Sequence, residues 1–156
     1  MRLTLYTDYA MRVLLHLSAH EDRLTSINEI ADAYGISRNH LMKVVQNLSG
    51  AGLVAASRGR NGGLRLGRPA DHIRLGDVVR QTEEGFTLVD CSQCRIATAC
   101  TLPKVLNEAT QAFLAVLDRY TVRDLLERRI EMKALFGAPL APRGRPAPAL
   151  CDGPTS

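Results

Sequence analysis

The sequence has no stretch of apolar residues that would cross a bilayer, because no uninterrupted run approaches the roughly 18 residues that a spanning helix needs. Asp8 also interrupts the N-terminus before the apolar core of a signal peptide could form. We therefore expect a cytoplasmic protein. Its 156 residues leave room for one compact domain with an appended helical element, which excludes a multidomain enzyme.

Acidic residues are absent from the segment 33–70. The six basic residues of this segment are Arg38, Lys43, Arg58, Arg60, Arg65 and Arg68, which give it a charge of +6. Since the whole chain carries +4, the other residues sum to 4 − 6 = −2. A run of one charge is usually only a solvated face, so it indicates nucleic acid only where the fold supports that interpretation.

The spacing of apolar residues predicts three helices before residue 51. In the first, expected at about 7–19, the residues spaced i, i+3, i+4, i+7 are Ala10, Val13, Leu14 and Leu17. Ser26 and Glu29 form a capping box for a second, short helix that ends at Gly35. Ser37 caps the third, which Gly50 closes. The last two helices make a helix-turn-helix at about 28–51.

The third helix has a polar outer face once its apolar stripe is removed. These side chains can hydrogen-bond base edges or phosphates, although they could also be only the solvated side of a core helix. Their place on the second helix of a helix-turn-helix, inside the acid-free segment, favours DNA recognition. The DNA-contacting residues predicted here are Ser37, Arg38, Asn39, His40, Lys43 and Gln46.

A glycine-rich hairpin follows, with strands expected at 53–57 and 63–66. We interpret it as a wing, at about 53–67, whose arginines enter a narrow minor groove. A phosphate-binding loop is the alternative, but the strand-to-helix context and the spacing of such loops are missing. The wing residues assigned to DNA are Arg58, Arg60, Asn61, Gly62 and Gly63.

Three cysteines are clustered as C-x2-C-x5-C, at Cys91, Cys94 and Cys100. In a reducing compartment they favour metal ligation over a disulfide framework, and thiolates select zinc or an iron–sulfur cluster. Unliganded cysteines and a redox dithiol remain as alternatives. A fourth ligand is not evident, because the four histidines, His16, His20, His40 and His72, are remote in sequence. Cys151 lies in a proline-rich tail and is interpreted as a bystander.

Helical patterns flank the cysteines. A short helix is expected at about 75–82, and after the cysteines the residues Leu102, Leu106, Ala109, Phe113, Val116 and Tyr120 have the 4, 3, 4, 3, 4 spacing of a coiled-coil seam. This helix could pack internally, but in so small a domain we expect it to pair with its copy in a homodimer. A final helix is expected from Thr121 to about Leu135, and a disordered tail at 137–156.

Four stretches together resemble the NsrR-like nitric-oxide-sensing repressors, which belong to a winged-helix iron–sulfur regulator family that also includes IscR. These stretches are LTLYTDYAMRVLLHL, ISRNHLMKVVQNL, RGRNGGLRLGRPADHIRLGDVVR and the three-cysteine cluster, and the similarity runs from about residue 2 to 130. The resemblance implies that the three cysteines bind an iron–sulfur cluster. It also implies that Asp8, in the TDY motif, can supply a fourth ligand from the partner subunit. Taken without the resemblance, the sequence indicates only that Asp8 is a first-turn carboxylate favoured by the helix dipole.

Two details refine the resemblance. The IscR-like proteins use a histidine shortly after the last cysteine, and the segment 101–108 contains none. The gap between Cys91 and Cys94 is shorter than is common in the family, which leaves 2Fe-2S and 4Fe-4S clusters both open.

The sequence thus predicts a mainly α fold with a small β-hairpin: a winged helix-turn-helix domain (1–83), a cluster-binding loop (84–101), dimerisation and C-terminal helices (102–136) and a tail (137–156). The predicted function is a cluster-dependent, DNA-binding transcriptional repressor that senses nitric oxide and is not an enzyme. The alternatives are a regulator of the same family that senses iron, cluster status or redox state, a zinc-stabilised DNA-binding protein, and a thiol redox enzyme.

Overall fold

The computed structural model describes residues 2–59 and 62–138. Its α-helices are α1 (Leu5–Ala19), α2 (Ile27–Tyr34), α3 (Arg38–Gly50), α4 (Leu75–Thr82), α5 (Leu102–Leu117) and α6 (Arg129–Phe136). The strands are β1 (Val54–Ser57) and β2 (Gly63–Leu66), and short 3-10 helices lie at Ala70–His72 and Arg123–Leu126. The predicted mainly α fold with one hairpin is confirmed. The tail lies outside the described residues, apart from 137 and 138.

Helices α1, α2 and α3 enclose the main core. The apolar stripe predicted for α1 is fully buried, and it packs on the inner faces of α2 and α3. The fully enclosed side chains there include Val13, Leu14, Ile30, Leu41, Val44 and Leu48. Helix α1 begins two residues earlier than predicted, because the Thr4 hydroxyl accepts the Thr7 backbone N–H at 3.3 Å and caps it.

The helix ends confirm part of the predicted capping. Ser26 accepts the Glu29 backbone N–H at 3.1 Å, and Gly35 ends α2 in the left-handed region at φ 61°. The Glu29 side chain, however, pairs with Arg23, so the reciprocal half of the capping box is replaced by an ion pair. Ser37 occupies the N-cap position of α3 without a side-chain capping bond.

Helix α3 ends at Gly50, as predicted. Gly50 is itself helical, however, and the chain reverses at Gly52, whose φ is +69°. Gly67 then passes so close that an added Cβ would lie 2.3 Å from the Gly52 carbonyl oxygen. Arg68 donates from Nη2 to the Ala51 carbonyl oxygen at 2.9 Å. One basic residue of the acid-free segment therefore stabilises the end of α3.

The hairpin is antiparallel, with Val54 opposite Leu66 and Ser57 opposite Gly63. Strand β1 begins one residue later than predicted, and β2 has the predicted bounds. A further bridge joins Thr25 to Leu64, with the Leu64 N–H donating to the Thr25 carbonyl at 2.8 Å. The base of the wing is thereby fixed to the start of α2.

Helices α4 and α5 pack together beside α1. Helix α4 has the predicted bounds and buries Val78 and Val79, whereas α5 buries only Thr110 and Leu114. After α5 the chain returns to the start of α4, where a bridge joins Arg74 and Thr121. The Leu75 N–H donates to the Tyr120 carbonyl at 3.0 Å, and the Val122 N–H donates to the Ile73 carbonyl at 2.9 Å.

The single final helix predicted from residue 121 is wrong, because the structure breaks it at residues 127 and 128 into a 3-10 helix and α6. The break allows Leu126 to be buried, while Arg129 Nε donates to the Ala19 carbonyl at 3.0 Å. Among the described helices, none combines the length and the apolar character that crossing a membrane requires.

Candidate nucleic-acid interface and thiol loop

The outer face of α3 is open to solvent. All six of its predicted DNA-contacting residues are exposed, and they are Ser37, Arg38, Asn39, His40, Lys43 and Gln46. The same helix buries Leu41, Val44, Val45 and Leu48 on its other side. The fold thus presents hydrogen-bonding groups as one continuous polar face on a helix that the core holds rigidly, as a recognition helix requires.

The N-terminal part of α1 packs against α3, the predicted recognition helix. The Tyr6 hydroxyl donates to the Lys43 carbonyl at 3.2 Å, and the Tyr9 ring stacks on His40 with centroids 6.3 Å apart. Sequence reasoning missed both tyrosines. They lie on the face of α1 next to the apolar stripe. The stripe predicts that α1 packs on another helix, but it does not predict which side chains of that helix the tyrosines contact.

The wing is described only in part. Arg58 is exposed, and Gly62 and Gly63 are half-buried, while Arg60 and Asn61 lie outside the described residues. Gly62 has a local reason to be glycine, because an added Cβ would lie 2.3 Å from the Ser57 carbonyl oxygen. The turn therefore requires glycine for its own backbone, whether or not it also approaches DNA.

The basic side chains of α3 and of the hairpin are not neutralised by ion pairs within the described residues. Among the ion pairs of the described residues, none involves Arg38, Lys43, Arg58 or Arg65. These side chains are exposed and remain available to an anionic partner such as a phosphate backbone.

The three clustered cysteines lie on the loop between α4 and α5. Cys94 is exposed, Cys91 and Cys100 are half-buried, and all three thiols are free. The loop is built of turns, in which the Cys94 N–H donates to the Cys91 carbonyl at 3.3 Å and the Ala97 N–H donates to the Cys94 carbonyl at 3.2 Å. Three accessible thiols on one loop match the donor set of an iron–sulfur cluster. In the described part of the chain, however, the ligand atoms that converge within 4.8 Å belong to a different group.

Asp8 lies in the first turn of α1, where its carboxylate pairs with Arg12 one turn later. The Arg12 Nη2 to Asp8 Oδ2 distance is 2.9 Å, and both side chains are 40% exposed. The pair accounts for the position of Asp8 without a metal, and the role of Asp8 as a fourth ligand stays a prediction.

A hydrogen-bond network around Glu83 joins the start of α1 to the start of the thiol loop. The Glu83 carboxylate accepts from the Thr4 N–H at 2.9 Å, from the Thr4 hydroxyl at 3.0 Å and from the Thr7 hydroxyl. Thr7 and Thr82 are buried, with their hydroxyls 2.8 Å apart. Partial burial acts to raise the pKa of Glu83, but these hydrogen bonds outweigh it and hold the pKa below its usual value.

Sequence reasoning missed this network, because its contacts between the two ends join residues 75 or more positions apart, and no local pattern indicates such a contact. It places a fixed anchor immediately before the loop that carries the thiols.

The predicted seam of α5 faces outward. Its exposed side chains include Leu102 at 49%, Val116 at 43% and Tyr120 at 48%, while the helix contacts its own chain through Thr110 and Leu114. Leu106 and Phe113 of the seam are half-buried, so within the described residues the rest of the chain covers the seam only in part. Pairing of the seam with a second copy stays a prediction.

Comparison with known proteins gives a consistent result. The family model described as "Rrf2: Iron-dependent Transcriptional regulator" matches residues 3–128. Among solved structures, the chain is similar to CymR (YrzC), the global cysteine regulator of B. subtilis, at 28% identity with a TM-score of 0.63, covering 80% of this chain and 95% of that one.

Two further structures are similar. T. potens IscR is 26% identical with a TM-score of 0.70, covering 85% of this chain and 91% of that one. The structure described as "Putative transcriptional regulator from Listeria innocua" is 27% identical with a TM-score of 0.70, covering 81% of this chain and 87% of that one.

Proposed function

Because the chain belongs to the Rrf2 family of transcriptional regulators, we propose that it is an NsrR-like repressor that binds operator DNA as a homodimer and responds to nitric oxide. The observation that carries the proposal is the position of three free thiols on the loop that joins the DNA-binding half to α5. A sensor at this position lies between helices α1 to α4, which include the proposed DNA-contacting face, and α5, which carries the partly exposed seam.

DNA binding is assigned to the polar face of α3 and to the wing. In a dimer the two recognition helices would enter successive major-groove faces about 34 to 36 Å apart. Asn39 and Gln46 offer amide groups to base edges, while Arg38 and Lys43 offer charge to bases or phosphates. Since the unpaired basic side chains replace counterions on the phosphates, affinity falls steeply as salt rises.

The homodimer is assigned to the seam of α5. Leu102, Ala109 and Val116 are exposed along α5, and Leu106 and Phe113 between them are half-buried. Exposed Tyr120 continues the pattern three residues beyond the end of the helix. A second copy of the same seam is the occupant that coiled-coil spacing favours. The dimer axis would then lie next to the thiol loop, which immediately precedes α5.

The thiolates of Cys91, Cys94 and Cys100 would hold the cluster, with Asp8 as the candidate fourth ligand from the partner subunit. A bound iron–sulfur cluster would supply iron, which is the reaction partner of nitric oxide. The chain's own residues then determine what a change at the loop affects. Glu83 ties the beginning of the loop to Thr4 and Thr7, at the start of the helix that also carries Asp8, Tyr6 and Tyr9.

The test is anaerobic purification of the full chain, with iron and sulfide analysis, absorption spectra and DNA binding before and after nitric oxide. The probe is a DNA duplex selected from a random library by the anaerobic protein. We expect a coloured protein whose affinity falls about 100-fold with nitric oxide, which corresponds to about 2.8 kcal/mol. Unchanged DNA retention after the spectrum has responded would contradict the proposal.

Two variants separate the parts of the proposal. Cys94→Ala removes both the absorption spectrum and the response, whereas Cys151→Ala, the matched control, leaves both intact. Arg60→Ala weakens DNA binding but leaves the spectrum unchanged. A normal spectrum in Cys94→Ala would remove this residue from the ligand set.

A second candidate function is a zinc-stabilised DNA-binding protein, which the C-x2-C spacing of Cys91 and Cys94 favours because structural zinc sites commonly use it. Its signature is a colourless anaerobic preparation that contains stoichiometric zinc, contains no iron and binds DNA equally well with or without nitric oxide.

A further inference from the structure

His16, in the last turns of α1, is a buried side chain without the polar partners that burial requires. It is 1% exposed, and within the described residues neither ring nitrogen makes a hydrogen bond of good geometry. The Glu29 carboxylate lies 3.5 Å from Nε2, at the outer limit of such a bond. Buried polar groups are nearly always satisfied, so an orphaned imidazole calls for an explanation such as a bound ion. Packing among aromatic rings explains why the ring is buried, but it supplies no partner for the nitrogens.

Two other potential ligands converge on His16. His20, one turn later, stacks on it with ring centroids 4.6 Å apart, and Glu29 of α2 places Oε1 3.5 Å from His16 Nε2. One ligand atom from each of these three residues lies within 4.8 Å of the others. The separation of Nε2 and Oε1 is close to the roughly 3.3 Å expected for two ligands on one tetrahedral zinc ion with bonds near 2.0–2.1 Å.

The surroundings resemble the outer shell of a metal site. His20 Nδ1 lies 2.9 Å from the His16 carbonyl oxygen, and this contact fixes the ring and leaves Nε2 for a ligand. A backbone carbonyl that orients a ligating histidine in this way is a common second-shell arrangement. Arg23 Nη1 donates to Glu29 Oε2 at 3.0 Å and orients the carboxylate.

An aromatic ring encloses the group. Phe136, the last residue of α6, packs with its ring centroid 4.6 Å from that of His16 and 5.7 Å from that of His20. Tyr34 contacts both His16 and Phe136 edge-on.

We propose that His16, His20 and Glu29 form a binding site for a divalent transition-metal ion, zinc foremost, that is separate from the thiol loop. Two imidazoles and one carboxylate are ligands that zinc accepts, and a water molecule would complete the tetrahedron. The site would join the end of α1, the start of α2 and, through Phe136, the end of α6. Metal binding would thus hold the C-terminal helix against the helix-turn-helix.

The test must isolate this site from the thiols. We would replace all four cysteines by serine in the full chain, remove metal with a chelator, and titrate with zinc in competition with a chromophoric chelator. The expected result is one equivalent of bound zinc and a rise in melting temperature. Cobalt used in place of zinc should give visible bands without the intense sulfur-to-metal absorption of a thiolate site.

The ligands are then tested in the same background. His20→Gln and Glu29→Gln should each weaken zinc binding by more than about 100-fold, since loss of an outer-shell partner alone costs about 10–100-fold. His72→Gln, at an exposed histidine elsewhere, is the matched control and should bind zinc normally.

Substitution of His16 risks misfolding because the residue is buried, so these two variants carry the test. The proposal is wrong if the cysteine-free chain binds no zinc, or if folded His20→Gln and Glu29→Gln proteins bind it as tightly as their parent.

Discussion

The N-terminal half of the molecule and the segment 84–117 differ in how far each completes its own packing. With three exceptions, the buried apolar residues of the part of the chain that the structure describes lie between Ala10 and Val79. The loop and α5, by contrast, bury Thr110 and Leu114 but leave Leu102, Val105, Val116 and Ile96 exposed. Exposed apolar side chains grouped along one helix are a feature of surfaces at which proteins associate.

The contrast indicates a division of labour. The N-terminal half has a closed core that can hold α3 in a fixed orientation, whereas the thiol loop and most of the seam contribute little to that core. In the proposed dimer, chemistry at the loop would therefore affect the relation between the two copies without unfolding the part proposed to contact DNA. The predictions below test this contrast, from the largest expected effect to the smallest.

The core of the first region should tolerate truncation badly. Leu14→Ala removes a fully buried side chain, and we expect a loss of about 3 kcal/mol in the free energy of unfolding, measured by urea denaturation. Leu102→Ala, in the second region, should cost less than about 1 kcal/mol under conditions in which the protein is monomeric, because this side chain is 49% exposed. Equal losses would remove the contrast.

The seam of α5 should respond to charge through association. Val116→Glu would bury an unpaired carboxylate in the proposed dimer, so we expect the dimer dissociation constant to rise about 100-fold, equivalent to about 2.8 kcal/mol. Sedimentation equilibrium measures this change. Glu108→Gln, at another exposed position of α5, should leave the constant unchanged. A dimer that Val116→Glu does not weaken would place the interface elsewhere.

The junction between the regions depends on Glu83. Glu83→Gln removes the charge that accepts three hydrogen bonds, and we expect a loss of about 1.5 kcal/mol of stability at pH 7. The folded protein holds the pKa of Glu83 below its usual 4.5, so this contribution is present above that pH and is lost as the pH falls through the lower, folded value.

Urea denaturation of both proteins between pH 3 and 7 should therefore show the difference between them shrinking in acid. Glu84→Gln, at the exposed neighbouring position, serves as the control and should match the wild-type protein at every pH. A difference that stays constant with pH would show that the charge of Glu83 is not what stabilises the junction.

The smallest effect on stability concerns Asp8. Asp8→Asn and Arg12→Gln both break the exposed ion pair of α1, and each should cost less than about 0.5 kcal/mol. If Asp8 is also a cluster ligand, Asp8→Asn alone alters the absorption spectrum of the anaerobic protein. Identical spectra for the two variants would show that Asp8 is not a cluster ligand and serves only in the ion pair with Arg12.

Local patterns in the sequence predicted most of the fold. The apolar stripes of α1 and α3, the αL glycine after α2 and the bounds of α4 and β2 all follow from neighbours within a few residues. The errors arose where distant segments decide. The single helix expected after residue 121 is broken into a 3-10 helix, in which Leu126 is buried, and α6, whose first residue Arg129 donates to the Ala19 carbonyl at the end of α1. The contact of Arg68 with the end of α3 likewise joins segments that are distant in sequence.

The candidate site divides in the same way. Exposure of the predicted α3 face followed from helical periodicity, since removal of the buried stripe leaves that face. Helical periodicity could not predict the Glu83 network or the grouping of His16, His20 and Glu29, because each joins side chains from separate helices. His16 and His20 could be recognised as one-turn neighbours, but only the fold shows that Glu29 lies beside them.

The C-terminal end of α5 is held in place because the chain returns there to the start of α4. A backbone bridge between Arg74 and Thr121 fixes this end, and Arg80 donates two hydrogen bonds of 2.7 Å to the Asp118 carboxylate. The other end of α5 adjoins Cys100, about 24 Å away for 16 helical residues. A displacement of about 2 Å at that end would turn the helix by roughly 5° about its pinned end. In the proposed dimer, a small movement at the thiols would thus become an angle between the subunits, and the length of α5 would set the size of that angle.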